Sequence, residues 1–526
     1  MVKITCYDGV GVIGGNKILL EDDEKDTVLF LDFGLNFSES ANYYQDFLKN
    51  RSGRGALDYL VTGLLPPLKG IYREEIEPQG LWEHPVLKNH LLLREINRID
   101  GVVLSHAHMD HWGLIGYLKR DIPLYTSAIS ALLIKAYQDS SSSDVASEAI
   151  LLSPKEMVDG LLRSRGRGVD YIARDLRICG QMLSNDAVDL LHESQKTTKS
   201  IPQINITSGD RIGHINLFSY PVDHSIFGAS AFALETSSGW ILYTGDFRLH
   251  GERGHISREF VRKAKKMKPE VLICEGTRAG SKKGASEAEV EAYSLEVVRK
   301  CPQMVFADFS MRNLERMFSF ARIAQFSNRK LVITEKTAYM LYALSTQVPE
   351  AQNLLKSDYI YIYREPAVSR FKWQKKLPYY TGFSYIEPGV IHENQDDYLL
   401  CFGYYELNEL PDIMPNPGSI YIYSTSEAHS EEQKTDIRRL LNWLDFFKVK
   451  IIPGIDPDTL EIHADDRKFH SSGHASGEEI LEIIRIINPT ILIPVHTENP
   501  EWFASELRND DIEVILPERG IPIIIG

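Results

Sequence analysis

The segment Ser105-His106-Ala107-His108-Met109-Asp110-His111 constrains this chain more than any other. It follows Gly101-Val102-Val103-Leu104, an apolar run that reads as a short buried strand. A strand end followed by a tight loop can aim His106, His108, Asp110 and His111 into one small volume. Imidazole suits zinc and other first-row ions, while carboxylate suits harder ions and can bridge two of them. A chance polar loop is a poor account of four ligand-type side chains at this spacing. A purely structural zinc site is a poor one too, because such sites are closed and usually rich in cysteine.

One loop cannot complete two metal sites, and further ligand types recur where apolar strands end. Pro221-Val222-Asp223-His224 closes one such run, Trp240 to Asp246 ends in aspartate, and Thr490 to His496 ends in histidine. Near the N-terminus, Thr27 to Gly34 carries Asp32 in the same way. Functional side chains gather at the C-terminal ends of strands on layered α/β scaffolds.

These residues carry a resemblance. H-x-H-x-D-H at His106–His111, then His224, then Thr244-Gly245-Asp246, is similar to the metallo-β-lactamase superfamily. Glu275, Ser472-Gly473-His474-Ala475 and Pro494-Val495-His496 resemble the three motifs of its β-CASP branch of nucleases, which includes ribonuclease J. The resemblance spans Asp32 to His496. It implies an α/β protein: an αββα sandwich split into residues 1–283, with insertions at about 39–98 and 126–200, and 449–526. A β-CASP α/β domain would occupy 284–448. It assigns His106, His108 and His224 to one metal ion, Asp110, His111 and His496 to a second, and Asp246 to both, with Asp32 orienting a ligand histidine. Two divalent ions, Zn2+ by ligand type with Mn2+ also compatible, would activate a hydroxide for attack on phosphorus. Asp110, His474 and Glu275 would be catalytic, with His474 serving the leaving oxygen and Glu275 holding it. Lys468, His470 and Ser472 are candidate substrate contacts.

The implied activity is hydrolysis of phosphodiester bonds, with RNA the first substrate and single-stranded DNA the alternative. A small-ester hydrolase is the third reading. The chain departs from ribonuclease J after Leu399-Leu400-Cys401-Phe402, where Gly403-Tyr404-Tyr405-Glu406 replaces a Gly-Ser-Gln-Gly-Glu type of loop. The resemblance therefore carries no expectation about the 5′ end.

A net charge of −15 argues against a protein that coats nucleic acid by bulk electrostatics, but a local basic channel can coexist with an acidic exterior. The strongest basic cluster is Arg163, Arg165, Arg167, Arg174 and Arg177, either a nucleic-acid track or a solvated face. The segment from Glu39 to Arg98 interleaves aromatics with cations and is either a nucleic-acid surface or an insertion with its own small core. Five scattered cysteines without a C-x-x-C pair fit a reducing compartment. The strand-like Val2–Tyr7 start predicts no signal peptide, and no apolar run predicts a membrane span. A cytoplasmic protein is expected, and a homo-oligomer is compatible.

Local signals complete the reading. Gly9, Gly11, Gly14 and Gly15 predict a tight hairpin or a close backbone approach to the metal site. Trp112–Arg120 and Ala128–Gln138 read as helices. Ser286-Glu287-Ala288-Glu289 and Ser476-Gly477-Glu478-Glu479 are capping boxes, and Ser310 is expected to cap a further helix. From Ser286 to about Lys448 strands and helices alternate, which predicts a mostly parallel sheet covered on its faces. His250, His255, His429 and His463 are expected at the surface.

Overall fold

The computed structural model describes residues 1–45, 47–142, 144–165, 169–194, 200–425, 431–462 and 468–526. Arg167, His429 and His463 lie outside the described residues.

Period-two patterning builds a pair of facing sheets. The first holds eight strands in the order Ile206–Ser208, Leu176–Cys179, Leu124–Ser127, Gly101–Val103, Thr27–Leu31, Lys17–Asp22, Val2–Asp8 and Pro522–Ile525. The second runs Arg211–Ile212, Ile215–Pro221, Ser230–Thr236, Gly239–Tyr243, Val271–Glu275, Ile491–Val495 and Glu513–Val514. Leu29, Leu31 and Val103 of the first sheet share one apolar layer with Ile241, Ile273 and Ile493 of the second. Their strand neighbours point the other way, as alternation requires. Phe30 and Val102 join a core with helix Ala128–Ser140, while Leu242, Leu272 and Leu492 meet helices Gly254–Met267 and Gly477–Ile487. The result is the expected helix–sheet–sheet–helix sandwich.

A third sheet is parallel throughout: Ser384–Ile386, Ile360–Tyr363, Lys330–Ile333, Tyr398–Leu400, Val305–Asp308, Ile420–Tyr423 and Lys450–Ile452. Helices Leu314–Phe326 and Glu335–Ser345 cover one face, and Glu431–Phe446 covers the other. The second sheet is interrupted after Val271–Glu275 and resumes at Ile491–Val495, the adjacent parallel strand, with helix Gly477–Ile487 returning to the sandwich just before it. Both capping boxes form, at Ser286 and at Ser476.

Several local expectations are corrected. After the metal loop only one α-helical turn forms, Met109–Trp112, followed by a 3-10 turn at Ile115–Tyr117. The chain packs closely there, since a Cβ on Gly116 would stand 1.9 Å from the Val145 carbonyl oxygen. Asn313, not Ser310, caps the helix Leu314–Phe326 through the amide of Arg316. In the 39–98 insertion, Leu64, Leu65, Leu68, Ile71 and Tyr72 are buried in the main core and form no separate one.

The basic cluster divides. Arg163 and Arg165 are exposed on a hairpin of Lys155–Val158 and Leu161–Ser164, and Arg165 lies 3.7 Å from Glu156. Arg174 is buried and belongs to no surface track. Its guanidinium donates to the carbonyl oxygens of Ala149, Lys119, Ile122, Ile115 and Leu118, tying down the turns that follow the metal loop. Each of those buried acceptors would otherwise bear a desolvation cost. Arg174→Ala should therefore lower stability by roughly 3 kcal/mol, read as a fall in the urea midpoint at unchanged slope.

Candidate metal centre

The loop after Gly101–Val103 turns tightly because glycines clear its path. The amide of Gly15 donates to the Asp110 carbonyl at 2.9 Å, and Gly9 accepts from the amide of His496 at 2.8 Å. Gly34 is closest of all: a Cβ there would fall 1.6 Å from the Asp110 carbonyl oxygen. The glycine-rich first turn thus seats both the metal loop and the strand end that bears His496.

Two donor groups meet at Asp246. His106 Nε2 lies 3.0 Å from His108 Nδ1, which lies 3.1 Å from His224 Nε2. Asp246 Oδ2 is 3.6 Å from His106 Nε2 and 3.8 Å from His224 Nε2. On its other side, the same oxygen is 3.1 Å from His111 Nε2 and 3.8 Å from His496 Nε2. Asp110 Oδ2 completes the second group at 3.6 Å from His111 Nε2 and 3.3 Å from His496 Nε2. The loop, three strand ends and their side chains therefore converge although His496 lies far along the chain.

The second nitrogen of each buried imidazole is held from behind. His111 Nδ1 faces Asp32 Oδ2 at 2.7 Å, His496 Nδ1 faces Thr277 Oγ1 at 2.8 Å, His106 Nδ1 faces Ser105 Oγ at 3.0 Å, and His224 Nδ1 faces the Gly473 carbonyl. Such partners fix tautomer and ring orientation in metal sites. Asp32 is itself fully committed, accepting from the Ser105 amide, the Ser105 hydroxyl and Tyr243 Oη. Asp32 and His496 both have left-handed backbones, at φ 57° and 54°, a strain that sites rather than cores tend to retain.

The electrostatics fit cations. Burial holds His106 and His224 well below the ordinary histidine range and lowers His108 to about 4, so their nitrogen lone pairs are available. Burial alone would raise Asp110 and Asp246 and lower His111, but their mutual attraction, with Asp32 added, reverses all three: the two carboxylates are lowered and His111 is raised well above the ordinary histidine range. Lone pairs packed at these distances repel unless a positive charge lies among them, and Asp246 Oδ1 is buried without a hydrogen-bond partner among the described residues. The donor set suits divalent metal ions.

His474 stands beside this cluster. Its Nδ1 is 3.0 and 3.1 Å from the Glu275 carboxylate and 3.9 Å from Asp246 Oδ2. Glu275 is buried and also accepts from the amides of Phe247 and Thr277. Burial would lower His474, but Glu275 and Asp246 raise it to about 9. Ser472 turns its hydroxyl to the His474 amide. Lys468 Nζ sits over the Tyr293 ring of helix Glu287–Lys300 at 4.9 Å, and His470 Nδ1 is 3.4 Å from the Ser424 carbonyl at the end of a third-sheet strand.

Sequence reasoning missed what braces the His474 loop. Arg248 is fully buried, pairs with Glu287 and Glu315, and donates to the Ser472 carbonyl; Arg316 pairs with Glu287 and reaches the Ser471 carbonyl. His250, expected at the surface, is buried there between Ser472 and Glu479. It lies on the segment that leaves Asp246 and passes beneath the His474 loop, a path no local pattern reveals. Tyr243 and Thr277 were missed as well. Tyr243 had a signal, since it shares a face with Ile241, two residues along a strand ending in Asp246. Asp32→Asn should preserve the fold but weaken metal retention about 10–100-fold, measured as metal content after dialysis against graded chelator.

Residues 75–276 match the metallo-β-lactamase superfamily, and residues 459–517 match the Zn-dependent metallo-hydrolase RNA specificity domain. Ribonuclease J of Helicobacter pylori is 20% identical over 527 aligned positions, covering 99% of this chain and 59% of that protein. Ribonuclease J of Corynebacterium glutamicum is 21% identical, covering 99% of this chain and 58% of that protein. The chain thus spans a little under three fifths of the length of these relatives. A crystal structure of a protein of unknown function from Enterococcus faecalis shares the fold, with a TM-score of 0.64, 22% identity and 99% coverage of both chains. The chain thus matches the metallo-β-lactamase superfamily and, after it, the metallo-hydrolase RNA specificity domain, and it is similar to ribonucleases J along its whole length, a combination consistent with the β-CASP, ribonuclease J-like branch.

Proposed function

We propose that this chain is a metal-dependent nuclease that hydrolyses phosphodiester bonds of RNA. One observation carries the reading: Asp246 Oδ2 lies at the junction of two imidazole and carboxylate groups, and the second nitrogens of His106, His111, His224 and His496 are braced from behind. His106, His108 and His224 would hold one ion, Asp110, His111 and His496 the other, with Asp246 between them. Zinc is the first choice from the nitrogen-rich donors, with manganese compatible with the group containing Asp110. When bound, two such ions lower the pKa of water and neutralise charge growing on the phosphate.

The remaining work falls to side chains. Glu275 fixes His474 Nδ1, so that His474 Nε2 is the atom that donates a proton to the departing oxygen. Asp32 fixes His111, and Thr277 fixes His496. Ser472 belongs to the same loop as His474 and is assigned to the substrate, with Lys468 and His470 on its flank. The lactamase domain is read as 1–283 plus 449–526, with a β-CASP domain at 284–448. RNA is preferred to DNA because of the RNA specificity match and the ribonuclease J relatives. Five buried, unpaired cysteines suit a cytoplasmic setting, and no described helix is long and apolar enough to cross a membrane.

Matched single-stranded RNA and DNA, incubated with zinc or manganese and separated on a gel, test the proposal. RNA should be cut by the wild type and left whole by Asp110→Ala. Cutting of DNA alone would refute the RNA assignment, and cutting of neither by metal-loaded protein would refute the nuclease. His474→Ala should slow single-turnover cleavage about 10²–10⁴-fold, and unchanged turnover would remove His474 from the chemistry.

A further inference from the structure

A cavity of about 760 Å³ lies outside the metal ligands, at the carboxyl ends of the third sheet. Its position follows from topology. Val305–Asp308 leads on to Lys330–Ile333 on one side, while its neighbour Ile420–Tyr423 leads to Lys450–Ile452 on the other. Where adjacent parallel strands depart in opposite directions, their loops separate and leave a crevice. The volume is within the range of roughly 300–1,000 Å³ typical of small-ligand pockets.

The cavity adjoins the metal centre. Tyr137, Arg312 and Met340 line both it and a narrow gap whose far wall is Ala107, the residue between His106 and His108. Arg312 is half-buried and lies over the Tyr137 ring at 4.7 Å. Among the described residues, its guanidinium has no hydrogen-bond or ion-pair partner. A free guanidinium between the metal centre and a cavity is placed to hold a backbone phosphate of a strand running from one to the other.

Beyond Arg312 the chemistry reverses. Asp308, Glu365, Glu406 and Glu409 line the cavity, with Lys336 the other cation. Asp308 is 6% exposed; one carboxylate oxygen accepts from Tyr421 Oη at 2.7 Å, and the other accepts no hydrogen bond among the described residues. Glycine at 403 keeps that second oxygen clear, since a Cβ there would stand 2.7 Å from it. Burial, with the Glu406 charge adding to it, pushes Asp308 up to about 7, and burial with Glu365 raises Glu406 to about 6. Buried and crowded together, these carboxyls already resist full ionisation. A phosphate would worsen this, whereas N–H donors would relieve it. Phe309 and the exposed Tyr405 add aromatic faces to the wall.

We propose that this cavity is a subsite for an unpaired nucleobase of the substrate, read at an amino edge by Asp308 and Glu406, and that it excludes a terminal phosphate. Carboxylates accept from the exocyclic amines of cytosine and adenine and from the paired N–H groups of guanine. Uracil offers one N–H flanked by two carbonyls, which the same oxygens repel. The inference rests on the nuclease proposal for the identity of the ligand.

Fluorescence anisotropy with non-cleavable 2′-O-methyl oligocytidylate and oligouridylate, each with hydroxyl or phosphate ends, tests it on the metal-loaded full chain. Oligocytidylate should bind about tenfold or more tightly than oligouridylate, and an end phosphate should not strengthen binding. Glu406→Gln and Asp308→Asn keep the hydrogen-bond acceptors for Gly403 and Tyr421, so the fold should hold, and the ratio should fall towards one. Glu365→Gln, at an exposed position, provides a further variant with no described hydrogen bond to lose. Equal affinity for the two oligomers, tighter binding of phosphate ends, or a ratio unchanged in folded Asp308→Asn and Glu406→Gln would overturn the proposal. Binding here needs no cutting: base selection without cleavage would retire the nuclease alone, and cleavage without selection would retire the subsite alone.

Discussion

Six imidazoles, of His106, His108, His111, His224, His474 and His496, and the carboxylates of Asp110, Asp246 and Glu275 share one small volume around Asp246, and much of the surrounding structure serves to make that crowding tolerable. Such a cluster is costly to bury without compensation, because each group surrenders water. The compensation is layered. Asp32, Ser105, Thr277 and the Gly473 carbonyl hold the backs of the rings, and Tyr243 holds Asp32. Glycines at 9, 14, 15 and 34 let backbone approach where a side chain would collide. The two sheets supply the strand ends from which these groups project.

A second buried charge set joins the third sheet to this centre. Arg316 comes from the helix Leu314–Phe326 and Glu287 from Glu287–Lys300, yet both act on Ser471 and Ser472 through hydrogen bonds or through Arg248. Ser424, at the end of Ile420–Tyr423, also donates to the Phe469 carbonyl. The loop bearing His474 is thus clamped between two layers, and the orientation of that histidine depends on contacts made by both.

What could be read from the sequence follows from the range of the interactions. H-x-H-x-D-H is a local pattern, and apolar runs ending in Asp32, Asp246 or His496 show where those side chains emerge. The alternation after Ser286 showed a parallel sheet because strand and helix periods differ. Burial of a charge is not local. Arg174 read as part of a basic surface, but its five carbonyl partners come from turns spread over residues 115–149. His250 failed for the same reason. Ser310 had the right chemistry for a cap, yet Asn313 lies where the helix begins, three residues later.

The neighbouring strands Val271–Glu275 and Ile491–Val495 have a consequence for synthesis on the ribosome. When Val271–Glu275 emerges, the strand that will pair with its open edge has not been made, and the whole third sheet must be translated first. An apolar strand with unpaired amides is a template for wrong partners. During that interval the nascent sandwich is most exposed to misassembly, and it closes only when the segment carrying His496 arrives.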